Sequence, residues 1–317
     1  MHWLAHAPAN IALIKYMGKK NESSNLPDNA SLSYTLDNLI STVQLECLSE
    51  KTDVWEPLNS SAASNYALSL PLAGQKRFID HLSSIKTYFG YSGSFLVKST
   101  NNFPHSSGLA SSASSFAALT RCAVLALSEL TNKAIPSINE QAQLSRQGSG
   151  SSCRSFYTPW ALWQENEVSA VDLPYKNLLH EVIIISAQEK KVSSSEAHRR
   201  VKSSTFYASR SKRAEEHLTM LVDAFKTENW NNAYQICWRE FQDMHHLFST
   251  CAQPFSYLSE GSLNVLNALQ KFWDREGDGP IVTMDAGPNI HLLYRPDQVA
   301  LMNQLKQEHL LGHYDVL

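Results

Sequence analysis

Asn101-Asn102-Phe103-Pro104-His105-Ser106-Ser107-Gly108-Leu109-Ala110-Ser111-Ser112-Ala113-Ser114 is the stretch on which the reading of this chain turns. Pro104 argues against continuing whatever regular structure precedes it. Beyond it no proline interrupts the chain through Leu130, and Leu109, Ala113, Phe116, Ala117 and Leu127 are among the apolar positions. The pattern predicts a helix over 108–130 that is nearly apolar all round and therefore buried. Small residues at its mouth would let an anion approach the unpaired amides and the positive end of the helix dipole. By composition alone, a serine-rich cap on a core helix explains the same residues equally well. No Walker motif of the form GxxxxGK(S/T) is present.

Working outward, residues 2–7, 31–36 and 42–47 read as strands, 76–89 as a helix and 94–99 as a strand leading into the Asn-Asn-Phe-Pro turn. A second helix ends near Arg146, followed by small residues at 148–152 and an apolar run at 160–163. The pattern restarts with a β-run at 182–186. Amphipathic segments at 214–225, 231–248 and 264–273 follow, and then a strand pair, 281–284 and 290–294, around a Gly-Pro turn. A single core stops growing at roughly 250 to 300 residues. The 317 residues therefore read as two domains, 1–180 and 181–317, of α+β class.

The chain is 43% hydrophobic and 18% charged, with a formal net charge of -3, which fits a globular protein and offers no basic field for nucleic acid or a membrane surface. Five scattered cysteines without a CxxC pair fit free thiols in a reducing compartment rather than a zinc site. The first twenty residues lack the uninterrupted apolar run of a signal peptide, and no segment reads as the roughly 20 apolar residues of a membrane span. A cytoplasmic location is expected.

Three further stretches can carry chemistry. Residues 146–155, RQGSGSSCRS, join glycines and hydroxyls to Arg154, which could clamp a carboxylate or phosphate, although a loop with a surface arginine would look the same. Asp285 opens the turn Asp285-Ala286-Gly287-Pro288-Asn289 at the end of a buried strand. Lys15 stands in the apolar segment 10–19, where a buried ammonium needs a partner anion unless it reaches the surface.

Together these stretches resemble the diphosphomevalonate decarboxylase family, within the superfamily of galactokinase, homoserine kinase, mevalonate kinase and phosphomevalonate kinase. The resemblance is carried by APANIALIKYMGK (7–19), LPDNASLS (26–33), NNFPHSSGLASSA (101–113), RQGSGSSCRS (146–155) and DAGPN (285–289). It implies the two-domain small-molecule-kinase (GHMP) fold: an N-terminal α/β domain of a kind also found in a ribosomal protein, a C-terminal α+β domain, and the active site in the cleft. It implies ATP and Mg2+ as cofactors, mevalonate 5-diphosphate as substrate and a homodimer. The catalytic residues carried over are Asp285 at the 3-hydroxyl, Lys15 beside it and Arg154 on the substrate carboxylate. Ser106, Ser107, Gly108, Ser111 and Ser112 would meet the ATP phosphates. Tyr16, Lys19, Ser149, Ser152 and Ser194 would hold the substrate, and no protein ligand for the metal is assigned.

Departures from the family pattern are Met17 for tryptophan, His105, Ser106 and Ser107 for Thr-Ala-Ala, and Ala30 where serine is common. A fourth is Ser195-Glu196-Ala197-His198, where many relatives have a Gly-Met pair and some an arginine at the position of Ser195. The last bears on the diphosphate grip. The alternatives are a mevalonate or phosphomevalonate kinase, a decarboxylase preferring the monophosphate, and a member that binds ligand without turnover. The joint presence of Lys15, Arg154 and Asp285 argues against the kinases, since phosphorylation alone needs no arginine clamp.

Overall fold

The computed structural model describes residues 1–58, 70–104, 111–188 and 190–317. The first part of the chain runs β1 (His2–Ile14), β2 (Lys19–Asn21), β3 (Leu26–Pro27), β4 (Ser31–Leu48), β5 (Val54–Pro57), α1 (Leu72–Phe89), β6 (Ser94–Asn101), α2 (Ser111–Thr131), α3 (Ile138–Gly148), β7 (Trp160–Gln164) and β8 (Glu167–Ala170). The remainder runs β9 (Leu179–Ile184), α4 (Ser194–Arg200), α5 (Arg210–Lys226), α6 (Trp230–Thr250), α7 (Glu260–Glu276), β10 (Ile281–Thr283), β11 (Ile290–Tyr294), α8 (Val299–Leu305) and β12 (Asp315–Val316).

Strand β4 organises the first sheet. Its residues 32–36 and 40–46 pair with β1, while its first residues also pair with β7 and its last eight with β6. The segments expected as separate strands at 31–36 and 42–47 are thus one strand of 18 residues. The register jumps from Leu36 opposite Ala9 to Ile40 opposite Pro8, leaving Asp37, Asn38 and Leu39 as a bulge. The second sheet, β10-β11-β9-β12, is antiparallel throughout.

Helix α2 lies across β1 and β4 with α1 and α3 beside it. Fifteen of its side chains are buried, among them Phe116, Leu119, Cys122 and Leu127, which pack on Val43, Leu45, Phe95 and Val97 of the sheet. Against expectation, this helix is long and apolar enough to cross a membrane; 72% of its apolar window is instead buried inside the protein. It is apolar all round because core surrounds it. All five cysteines are unpaired.

A second core joins the two parts of the chain. Ile11, Leu13, Leu32 and Leu36 from β1 and β4 share one buried cluster with Leu221 and Phe225 of α5, Phe241 of α6, Phe272 of α7 and Leu292 of β11. Helix α6 packs on both β10 and β1, bringing the end of β1 and the turn after β10 side by side.

Candidate active site

Lys15 is the first residue beyond β1, and its ammonium is 2.8 Å from Oδ1 of Asp285 in the turn between β10 and β11. The lysine is 1% exposed, whereas the aspartate side chain keeps 29% of its surface. Burial lowers the pKa of Lys15, against the opposing pull of Asp285 and Glu240. Burial would raise that of Asp285, but Lys15 and further cationic influence outweigh it and hold the carboxyl below its usual range. At neutral pH Asp285 is therefore a carboxylate, and it accepts the hydrogen bond that Lys15 Nζ donates.

Several contacts fix the Asp285 turn. Asn289 Oδ1 accepts the amides of Ile185 and Ser186 just past β9, and Ser262 donates to the Pro288 carbonyl. His245 Nε2 lies 3.2 Å from the Asp285 carbonyl. Lys190 donates to the Ala286 carbonyl and to Ser194 Oγ.

The Lys15 peptide is held by a network absent from the sequence expectations. Glu240 Oε1 accepts the Lys15 amide at 2.9 Å, while Arg210 and Asn29 donate to its carbonyl at 3.1 and 2.8 Å. Arg210 and Glu240, 1% and 0% exposed, are ion-paired, and Asp243 and His217 extend the cluster. Burial would raise the Glu240 carboxyl, but Arg210 and hydrogen bonds to the charged form bring it down to about 2.

Arg154 is 3% exposed. Its Nε donates to Asn10 Oδ1 at 3.1 Å and its Nη1 to Ser31 Oγ at 2.9 Å. Among the described residues it has no ion-pair partner, and Nη2 makes no hydrogen bond to protein. Asn10, bonded also to Ser155 Oγ and the Ser151 carbonyl, holds the guanidinium in place. The tight helical turn over Gly150–Phe156 has about three residues per turn. It brings Ser151 and Arg154 to one face, and both line the cavity.

That cavity has a volume of about 540 Å³, within the range of small-molecule sites. Lys15, Lys19, Arg77, Arg154 and Lys190 line it, and among the described residues Asp285 is the one carboxylate that does so. Such a balance suits a polyanionic ligand. Tyr16, Ser111, Ser112, Ser149 and Ser194 also line it. The Tyr16 ring lies between Trp163 and His198, at centroid distances of 4.6 and 4.4 Å. A Cβ on Gly150 would come within 2.8 Å of that ring, so the close approach requires glycine. Lys19 bonds Asn25 Oδ1 at 2.7 Å, and its nearest acid is Glu22 at 3.8 Å.

One expected residue is corrected. Ser152 is fully buried with its hydroxyl bonded to Ser145 Oγ and the Ser149 carbonyl, so it turns away from the cavity that Ser151 lines. Ser106, Ser107 and Gly108 lie outside the described residues. Sequence reading missed Arg77, Lys190 and the Glu240–Arg210 pair.

Residues 7–172 match the family described as the diphosphomevalonate decarboxylase-like N-terminal domain, and 181–313 the mevalonate 5-diphosphate decarboxylase C-terminal domain. The chain belongs to the diphosphomevalonate decarboxylase family. The fold is that of the crystal structure of a mevalonate diphosphate decarboxylase from Legionella pneumophila, 65% identical over 100% of both chains with a TM-score of 0.93. The structure of MDDEF in complex with MVAPP, AMPPCP and magnesium is 29% identical, covering 100% of this chain and 96% of that one, with a TM-score of 0.87. Diphosphomevalonate decarboxylase from Gibberella zeae is 30% identical over 313 residues, 91% of this chain and 79% of that protein. The expected two-domain small-molecule-kinase fold is therefore the observed one.

Proposed function

We propose that this chain converts mevalonate 5-diphosphate and ATP to isopentenyl diphosphate, ADP, phosphate and CO2. The observation that carries the reading is the Lys15–Asp285 pair opening on the same cavity as a buried Arg154 that has no ion partner among the described residues. A buried guanidinium left unpaired by protein is costly unless a ligand anion completes it. A kinase acting on the hydroxyl alone would not require it.

In this scheme Asp285 accepts a hydrogen bond from the 3-hydroxyl and orients its oxygen toward the terminal phosphoryl group of ATP. Lys15 keeps the aspartate ionised, so it takes the hydroxyl proton late, as the oxygen–phosphorus bond forms and ADP leaves. Positioning and charge stabilisation supply most of phosphoryl transfer. Phosphate then departs from the tertiary carbon with its bonding electrons, and the Asp285 carboxylate stabilises the positive charge left behind. Arg154 holds the substrate carboxylate in place. When its bond to the adjacent carbon breaks, that electron pair forms the product double bond and CO2 is released.

Mg2+ fits as an ion carried by the nucleotide phosphates. Among the described residues there is no group of three or more His, Cys, Asp or Glu to hold it, and the hydroxyls of Ser111 and Ser112 are the oxygen donors at the start of α2. When bound, Mg2+ neutralises phosphate charge.

Tyr16, Lys19, Ser149 and Ser194 are proposed on the diphosphate, supported by their place on the cavity wall. Domains of 1–180 and 181–317, a homodimer and a cytoplasmic location belong to the same proposal. The unpaired cysteines support a reducing compartment.

The test is purified protein with MgATP and mevalonate 5-diphosphate, following ADP, phosphate and CO2 together. One CO2 per ADP is expected; ADP without CO2 would make the chain a kinase.

A further inference from the structure

The segment 195–198, where this chain departs from the family pattern, brings a histidine into the cavity wall. His198 lies on α4, is 7% exposed, and lines the cavity with Tyr16 and Lys19. Its Nδ1 accepts the Gly18 amide at 3.0 Å. An imidazole that accepts at Nδ1 carries its proton on Nε2. Among the described residues Nε2 has no hydrogen-bond partner, nor is it among the polar atoms sealed inside the protein without one. Nε2 is thus the ring nitrogen left to donate, on a residue that lines the cavity.

The ring is held in plane by Tyr16, 4.4 Å away between centroids, and by the Gly18 amide. Gly18 has φ +97°, and a Cβ there would come within 2.2 Å of the Tyr207 hydroxyl, so the amide is presented by a backbone that only glycine accommodates. Burial, then Lys19 and Lys202, push the His198 pKa down to about 3. The residue is thus a neutral, pre-oriented donor on a wall shared with Lys19, Ser193, Ser194 and Ser195.

We propose that His198 is a substrate-binding residue of this chain, its Nε2–H donating a hydrogen bond to the diphosphate held between Lys19 and residues 193–195. The proposal rests on the reading of the cleft as a mevalonate 5-diphosphate site. It answers the departure at Ser195: a serine there supplies no guanidinium, and the imidazole one helical turn on supplies a donor from a different position.

Two variants separate the ring nitrogens. His198→Asn keeps an acceptor near the Nδ1 position and removes the distal donor; His198→Gln can place an amide N–H near Nε2. With Asn, KM for mevalonate 5-diphosphate should rise about ten- to a hundredfold, as for a lost hydrogen bond to a charged group. KM for ATP should stay within about threefold, and Gln should recover most of the loss. A normal substrate KM in Asn, an equal rise in both KM values, or a normal Asn beside a defective Gln would overturn the proposal. Without nucleotide, the Nε2–H resonance of 15N-labelled protein, assigned by its loss in H198N, should shift on adding mevalonate 5-diphosphate. Should the wild-type chain release no CO2, the function proposed above fails on its own. The same resonance, titrated with inorganic pyrophosphate, still decides His198: a shift supports the donor and none removes it.

Discussion

Glu240 accepts the backbone N–H of Lys15 at 2.9 Å from 225 residues further along the chain. The last strand pair of β1 is Ile14 with Leu32, so the Lys15 peptide has left the sheet while remaining buried. A buried amide and carbonyl both need partners. The ion-paired Glu240 and Arg210 supply one each, so the part of the chain that carries Asp285 also grips the backbone of its partner lysine.

Replacing Glu240 by Gln keeps an amide acceptor but removes the charge opposite Arg210. Breaking a buried pair from one side costs about 3 to 5 kcal/mol, read as a lower denaturation midpoint. With Lys15 less firmly placed, kcat should fall by about tenfold or more, while KM for ATP holds. A folded variant with wild-type kcat would make the network purely structural.

Asp285→Asn keeps size and much of the hydrogen bonding while removing charge and proton acceptance. Turnover should fall about 10²-fold or more, and nucleotide binding, followed by calorimetry, should survive. Near-normal turnover would remove Asp285 from the chemistry.

Arg154→Lys keeps the charge but loses the planar fork that spans Asn10, Ser31 and the cavity. Mevalonate 5-diphosphate should bind at least about tenfold more weakly, with ATP affinity little changed. Parallel weakening of both ligands would indicate a structural arginine instead.

Acidification should destabilise the fold well above the range of the carboxylates. Burial, reinforced by Arg77, lowers His81 to about 4, and burial with Lys15 lowers His245 to about 4; His198 stands at about 3. Unfolded, each titrates near 6.5. Between those values the unfolded chain binds more protons, so stability is complete above pH 6.5 and falls as pH drops toward 4. From pH 7.5 to 5.5 each histidine removes about 1.4 kcal/mol, roughly 4 kcal/mol for the three. Thermal melts should show Tm dropping over this window; a flat Tm would mean these imidazoles are protonated in the folded state.

What the sequence made legible was local. The small-residue mouth of α2, the arginine after the glycine-serine run and the aspartate turn each announce themselves within ten residues. The sequence of β4 suggests two strands because Asp37 and Asn38, exposed in its bulge, look like a turn. Ser152 was misplaced because the facing of a tight helical turn depends on three-residue spacing, which a string of serines does not reveal. The Glu240–Arg210 clamp joins side chains on two different helices. One signal was available: Glu240 falls four residues after Ile236 and four before Met244, both buried, so a carboxylate stands on an apolar stripe.

Helix α2 has almost no free circumference, and that limits how this cleft can evolve. Each side chain that might be altered along most of its length already fills a place in the core, where added or lost volume is penalised. The α2 end of the cleft is therefore closed to gradual retuning from that helix. Variation is left to the short segments at 16–19 and 193–198, which contribute to the cavity wall outside the two larger sheets, and Met17 and the Ser195-to-His198 run fall there. A search for altered substrate preference should randomise those two segments together and leave the helix alone.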